Sequence, residues 1–338
     1  MKICRYHNPY FKGQKPHLGI IYKNHILDPH LSFVAEYERE GKFNPLEKAS
    51  YKLPTSLSTI LKLVENPFDV IEEGFAIYLF LEKMGIKETR SGVPLSYKLH
   101  DKDNILTSPL DSINSFRDFF CYEEHAKKSF GGNLPSEWYE DPIYFRQSHN
   151  SFLGTSEEIP WPQKTKKLDF ELELGLIIGK EGKNIKRYNA KNHIFGLTII
   201  NDVSARDIQK REWDLHLGPS KSKDFCTVLG PVIVTADEFD DLDNVPSLQT
   251  EVILNGETLS KGKTDSSQFG FSDLICHASK DEWILPTDLF GLGTIGKGSG
   301  LELNKWVKPG DSLELKIEGI GSIKNKFGVP RELKDWEK

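Results

Sequence analysis

Apolar positions along the chain fall into two textures. In the first 110 residues they come in short runs broken by Gly and Pro, and in two helical patterns. His17–Tyr22 reads as a strand. Leu57, Ile60, Leu61 and Val64 stand at i, i+3, i+4 and i+7, which predicts a helix over Ser56–Val64. A second helix is predicted from Phe68 to Met84, stopped by Gly85. The stretch Lys87–Pro109 is polar and turn-rich and marks a boundary. A helix-like segment begins near Asp111 and leads into Gly131-Gly132. Beyond it the texture changes to strands. Phe170–Ile178, His193–Ile200, Val228–Val234, Gln249–Leu254 and Ser312–Ile317 are β-branched and aromatic runs bounded by Gly, Pro or Asn. Asn255-Gly256 suits a hairpin that returns through Thr258-Leu259. The expectation is an α+β, β-rich chain. A smaller N-terminal α/β domain covers 1–110 and a larger β-rich domain covers 111–338, without the alternation of a βαβ fold.

Composition narrows the function classes. Among 338 residues, 44 Lys and Arg face 50 Asp and Glu, a net charge of −6. A nucleic-acid binder needs a basic excess on its phosphate-facing surface, so that class is set aside. No apolar run approaches the ~20 residues of a membrane span, and no apolar core follows the first charges as in a secretory leader. Cys4, Cys121, Cys226 and Cys276 lie far apart in sequence, which argues against a thiolate zinc site or a disulfide scaffold. Free thiols in a cytoplasmic protein are the expectation.

Gly291, Gly293 and Gly296 spell G-x-G-x-x-G, and Lys297 nearly completes a phosphate-binding loop. Both motifs need a following helix, and here Gly-Ser-Gly, Leu-Glu-Leu and Pro309-Gly310 follow. Nucleotide binding is therefore refused. Turn-making, or a cradle of backbone N–H groups with Thr294 for a carboxylate, remains.

Residues 168–174 read Leu-Asp-Phe-Glu-Leu-Glu-Leu. In a strand, Asp169, Glu171 and Glu173 share one face, opposite Phe170, Leu172 and Leu174. Three neighbouring carboxylates repel unless water or a cation neutralises them. Oxygen ligands would select Mg²⁺, Mn²⁺ or Ca²⁺ over Zn²⁺. Spacing alone leaves a solvated sheet face and a metal site both open. Asp202 ends an apolar strand, where it serves equally as a helix cap or a ligand.

These segments together carry a resemblance. Leu-Asp-Phe-Glu-Leu-Glu, then His193-Ile-Phe-Gly-Leu-Thr-Ile-Ile-Asn-Asp-Val-Ser-Ala-Arg-Asp-Ile-Gln209, is similar to the core signature of the fumarylacetoacetate hydrolase family. Leu217-Gly-Pro219, Lys223, Gly293-Thr294 and Glu302 continue it, and Arg117-Asp118-Phe-Phe-Cys-Tyr-Glu-Glu-His125 precedes it. The resemblance covers roughly 111–325. It implies a mixed β-sandwich roll, pairing as a homodimer, and Mg²⁺ (or Mn²⁺ or Ca²⁺) held by Asp118, Glu171, Glu173 and Asp202, with Thr227 assisting. It implies His125 as the base that activates water and Glu302 as the acid that orients it. Arg206, Gln209 and Lys223 resemble the cluster that holds an oxyanion or a substrate carboxylate. Tyr144, Thr294, Trp213 and Phe120 would contact the substrate, and the last two lack the phenolic hydroxyl found in true fumarylacetoacetases. If Asp118–Lys128 is helical, Asp118 and His125 lie on one face, ~10 Å apart. Charged neighbours give His125 the texture of an exposed helix, so its role rests on the resemblance. The implied reaction is metal-dependent cleavage of a C–C bond in a β-diketone acid. The alternative is decarboxylation, isomerisation or tautomerisation of a 2-oxo diacid such as oxaloacetate, which needs the same enolate but no water.

Overall fold

The structure is a computed structural model that describes residues 1–99, 106–330 and 332. Residues 100–105 of the expected boundary lie outside the described residues. Two compact units divide the chain. The first comprises Met1–Asp111 with Val232–Thr235, and the second Ser112–Pro231 with Ala236–Lys338.

In the first unit an antiparallel sheet runs in the order Ser96–Lys98, His25–Leu27, His17–Tyr22, Lys2–Tyr6, Val232–Thr235. The two predicted helices are present as Leu57–Leu63 and Pro67–Lys83. Ser56 caps the former by accepting from the Thr59 backbone N–H at 3.0 Å. Pro29–Arg39 and Pro45–Lys52 are also helices. Each carries Pro in its first turn, where no N–H is needed.

The second unit is sheet-rich. Its central sheet runs Ile194–Asp202, Glu171–Ile178, Leu289–Ser299, Phe116–Phe119, Tyr144–Gln147. Every residue of Glu171–Ile178 and of Ile194–Asp202 is buried. That removes the solvated-face reading of the two glutamates. A second sheet runs Glu257–Lys263, Gln249–Leu254, Ser312–Ile317, Gly321–Phe327, Glu158–Ile159. The expected hairpin turns at Asn255 and Gly256, with φ of 52° and 84°. Two positive φ values are the requirement of a type I′ turn.

Two expectations are corrected. The run 228–234 is split into Thr227–Leu229 and Val232–Thr235, because Pro231 has no N–H to give a ladder. The segment from Asp111 to Gly132 is not one helix. Phe116–Phe119 is a buried strand, parallel to Leu289–Gly291, and the helix begins only at Glu123. Phe116 and Phe119 gain more by burial in the sheet than local helix preference offers.

Candidate active site

Three elements of the central sheet bring acids together. Asp118 comes from the short parallel strand, Glu173 from the central strand, and Asp202 from the last position of its neighbour. One oxygen from each lies within 4.8 Å of the others, and all three residues are buried. Asp202 is a strand residue and not a cap, since the following helix starts at Arg206 with Ala205 as its cap. The pairing of Glu171–Ile178 with Leu289–Ser299 shifts register on both sides of Glu173, which re-aims its side chain. Gly291 supplies the space. A Cβ there would stand 2.6 Å from Glu173 Oε2 and 3.1 Å from Asp118 Oδ1. The glycines of the refused nucleotide motif thus belong to a strand, Leu289–Ser299, and one makes room for two carboxylates.

The cluster is short of positive charge. Asp118 Oδ1 and Glu173 Oε2 are buried without a hydrogen-bond partner. Burial, reinforced at Asp118 by the charges of Glu173 and Asp202 and at Glu173 by those of Asp202 and Glu171, pushes both carboxyls well above the carboxylate range. Asp202 is raised less. Burial drives it up, while Lys223 and Gln147 oppose. Gln147 Nε2 donates to Asp202 Oδ1 at 2.6 Å.

Glu171 behaves differently. Arg206 Nη2 donates to its Oε1 at 2.6 Å, and the Lys223 ammonium binds both Glu171 and Asp202. Burial pushes Glu171 up, but Arg206, Lys223 and His125 outweigh it and hold it well below the usual range. One ammonium reaching both acids places Glu171 at the rim of the triad. Arg206 Nε also donates to Asp169 Oδ2 at 2.8 Å, and Asp169 in turn accepts from the N–H groups of Gly300 and Leu301. Arg206 and Gln209 sit at i and i+3 on the buried face of Arg206–Asp214, 3.0 Å from Nη1 to Oε1.

His125 is 3% exposed, which overturns the exposed-helix texture. Nε2 lies 3.3 Å from Glu171 Oε1, and Nδ1 lies 3.2 Å from Glu302 Oε2, without the alignment of a hydrogen bond at Nδ1. Burial lowers the imidazole pKa, but the two glutamates more than reverse this, so it is raised. Glu302 is fixed by Ser299 Oγ at 2.8 Å and the Lys297 N–H at 3.0 Å. Asp118 and His125 stand on a strand and a separate helix, not one helical face as expected.

A pocket of about 30 Å³ is lined by Asp118, Phe120, His125, Glu171, Glu173, Arg206, Gln209, Trp213, Lys223 and Thr294 from the expected set. Thr294 is paired with Glu173 across the strands, and Thr227 with Asp202. Tyr144 is the exception. Its hydroxyl donates to Glu282 Oε1 at 2.7 Å, away from this lining. Its neighbour Phe145 lines the pocket instead, opposite Asp118 in register. A shift of one residue changes the face of a strand. Sequence reading also passed over Gln147 and Gly291. Alternation from Tyr144 leads to Arg146; Gln147 shares its face with Phe145, and no local signal marked it.

The residues present suit a hard divalent cation. The donor set is oxygen only, and two of its oxygens are orphaned. An acid pocket of this kind, with a braced imidazole, in a mixed sheet-rich fold defines an enzyme site. Residues 114–328 match the family model described as fumarylacetoacetate (FAA) hydrolase C-terminal, and the chain belongs to the fumarylacetoacetate hydrolase family. It is similar to the oxaloacetate tautomerase YisK of Bacillus subtilis, 33% identical over 215 residues, which are 61% of this chain and 67% of that protein. The chain spans about two thirds of the length of the curated relatives it matches. Its fold is that of a fumarylacetoacetate hydrolase from Exiguobacterium antarcticum, with a TM-score of 0.67 at 23% identity, covering 97% of this chain and 99% of that one. A fumarylpyruvate hydrolase from Pseudomonas aeruginosa in complex with Mn²⁺ and pyruvate aligns at a TM-score of 0.54 and 20% identity, over 64% of this chain and 90% of that one. Among the described residues no helix is long and apolar enough to cross a membrane.

Proposed function

We propose that the second unit is the catalytic one and that it interconverts keto and enol forms of a 2-oxo acid with the help of a divalent cation. The observation that carries this is the pair of orphaned carboxylate oxygens, Asp118 Oδ1 and Glu173 Oε2, beside the braced His125. Asp118, Glu173 and Asp202, with Glu171 at the rim, would hold Mg²⁺ or Mn²⁺. The bound ion supplies Lewis acidity towards the oxygens of a 2-oxo acid. In the keto-to-enol direction His125 takes a proton from the carbon beside the carbonyl while the carbonyl oxygen gains one; in the reverse direction the enol hydroxyl loses its proton and the carbon regains one from the imidazolium. Glu302 keeps the imidazole oriented. Arg206, Gln209 and Lys223 orient the substrate carboxylate, and Thr294 borders it. The tautomerase reading follows the relatives from Bacillus subtilis and Homo sapiens, which are named oxaloacetate tautomerases.

A second reading is hydrolysis of a C–C bond in a 1,3-diketo acid. The His125–Glu302 contact favours it, since an oriented imidazole also suits removal of a proton from water. Water would then add to the distal carbonyl, and the C–C bond would break to give a carboxylic acid and a 2-oxo acid. A homodimer is expected with either reading.

Both are tested by following oxaloacetate and acetylpyruvate in the ultraviolet with Mg²⁺, with Mn²⁺ and with EDTA. Metal-dependent enol decay without loss of oxaloacetate supports the tautomerase. Two acid fragments from acetylpyruvate put hydrolysis first. No metal-dependent effect on either compound ends both. His125→Gln should slow turnover by ~10²–10⁴-fold with metal affinity retained.

A further inference from the structure

The acid-lined pocket is small. At about 30 Å³ it offers space for the polar head of a ligand but not for a large arm. Phe120, Ser129 and Trp213 line it and also line a second cavity of about 320 Å³, so the two adjoin. The second cavity is completed by Phe130, His216 and Leu217.

The character of this antechamber is opposite to that of the pocket behind it. Four of its six lining side chains are large and apolar, and no Lys, Arg, Asp or Glu is among them. Trp213, Phe130 and Leu217 are 43%, 52% and 64% exposed, three large apolar groups held open to water around one concavity. Such a grouping at the mouth of a polar site is a surface a ligand can cover. The cations of the site, Arg206 and Lys223, are buried behind it and already face Glu171, Asp169 and Asp202. A second carboxylate at the far end of a substrate would therefore meet four large apolar side chains, with Ser129 and His216 as the polar groups of the lining.

We infer that the preferred ligand is a 2-oxo acid whose arm is apolar or aromatic, seated with its head among the acids and its arm against Phe130, Trp213 and Leu217. This deepens the function proposed above and rests on it. A compact diacid such as oxaloacetate would use the head site alone.

The test is calorimetric binding to the Mn²⁺-loaded 338-residue chain, with phenylpyruvate, pyruvate and oxaloacetate as probes. Phenylpyruvate should bind at least ~10-fold tighter than pyruvate, given the apolar area it would cover. Phe130→Ser and Leu217→Ser should each weaken phenylpyruvate several-fold and leave pyruvate unchanged. Both residues are exposed, so neither change threatens the fold. Equal affinity for phenylpyruvate and pyruvate overturns the inference but leaves the head site standing. So does tighter binding of oxaloacetate that ignores both substitutions. If Mn²⁺ binds and no 2-oxo acid does, the function proposed for the site falls with it.

Discussion

Each unit buries a cluster of charged and polar side chains, and the two clusters differ in one respect. In the first unit Asp28 is fully enclosed and fully partnered. Its Oδ2 accepts from the Tyr6 hydroxyl and lies 2.8 Å from His17 Nδ1, and its Oδ1 accepts from the Leu31 N–H at 3.0 Å. Asn8 and Tyr97 extend the network. Burial pushes Asp28 up, but its bond to His17, the nearby His30 and the Leu31 N–H outweigh this and hold it below the usual carboxylate range. In the second unit Asp118 and Glu173 are equally buried, yet each has an oxygen without a partner and both are raised. A completed polar network is a structural joint, here fixing the start of helix Pro29–Arg39 to the sheet. An incomplete one holds free energy in reserve for something that binds. The cost of crowding like charges is met by the rest of the fold, which is how a site is kept ready.

Substitution should separate the two clusters most sharply. Asp28→Asn removes the charge that His17 and Tyr6 satisfy, and should cost ~3 kcal/mol of stability. Asp118→Asn or Glu173→Gln should instead stabilise the metal-free protein, while raising the Kd for Mn²⁺ by ~100-fold or more. Urea unfolding and Mn²⁺ titration read both effects. The five tryptophans among the described residues (138, 161, 213, 283 and 306) lie in the second unit, so their emission reports on it. Destabilisation of the metal-free protein by Asp118→Asn would remove the distinction.

A smaller effect, of opposite sign in the two units, should appear with pH in metal-free protein. Asp28 titrates below its unfolded value of ~3.9, so its contribution is complete above that pH and is lost as pH falls through the depressed folded value. Asp118 and Glu173 titrate above their unfolded values. Their contribution is complete below about pH 4 and is lost as pH rises towards their raised folded values. Amide protection in helix Pro29–Arg39 should therefore fall on acidification below pH ~4, while the stability that Asp118→Asn or Glu173→Gln adds to the metal-free protein should grow from pH ~4 upward. Parallel pH profiles for the two probes would count against the assignment.

The smallest expected effect concerns Tyr144. Its hydroxyl serves Glu282, so Tyr144→Phe should change Mn²⁺ affinity and phenylpyruvate affinity by less than ~2-fold. Phe145→Ala should weaken phenylpyruvate more than Tyr144→Phe does, because Phe145 lines the pocket and the Lys223 ammonium lies over its ring. The reverse order would return Tyr144 to the site.

Much of the second unit was legible because its signals are local. Alternation placed Glu171 and Glu173 on one face, apolar runs marked the strands, and Asn255-Gly256 marked its hairpin. The order of segments from Asp118 to Glu302 carried the family resemblance. What could not be read was set by contacts between distant segments. Phe116–Phe119 is a strand because it is paired with Leu289–Gly291, more than 160 residues away, and no local preference reports such a partner. The exposed-looking charge around His125 belongs to a short helix whose one inward face carries the imidazole to Glu171 and Glu302.

By itself the sequence determined which chemical groups exist and on which face of each strand they stand, because side-chain alternation is a property of the backbone. Only the tertiary structure decided that Asp118 and Glu173 meet Asp202 with an oxygen each left unpartnered, while Asp28 meets His17. Burial and partnering depend on where separate strands are brought together, and a carboxylate's energy depends on what surrounds it rather than on its neighbours in sequence.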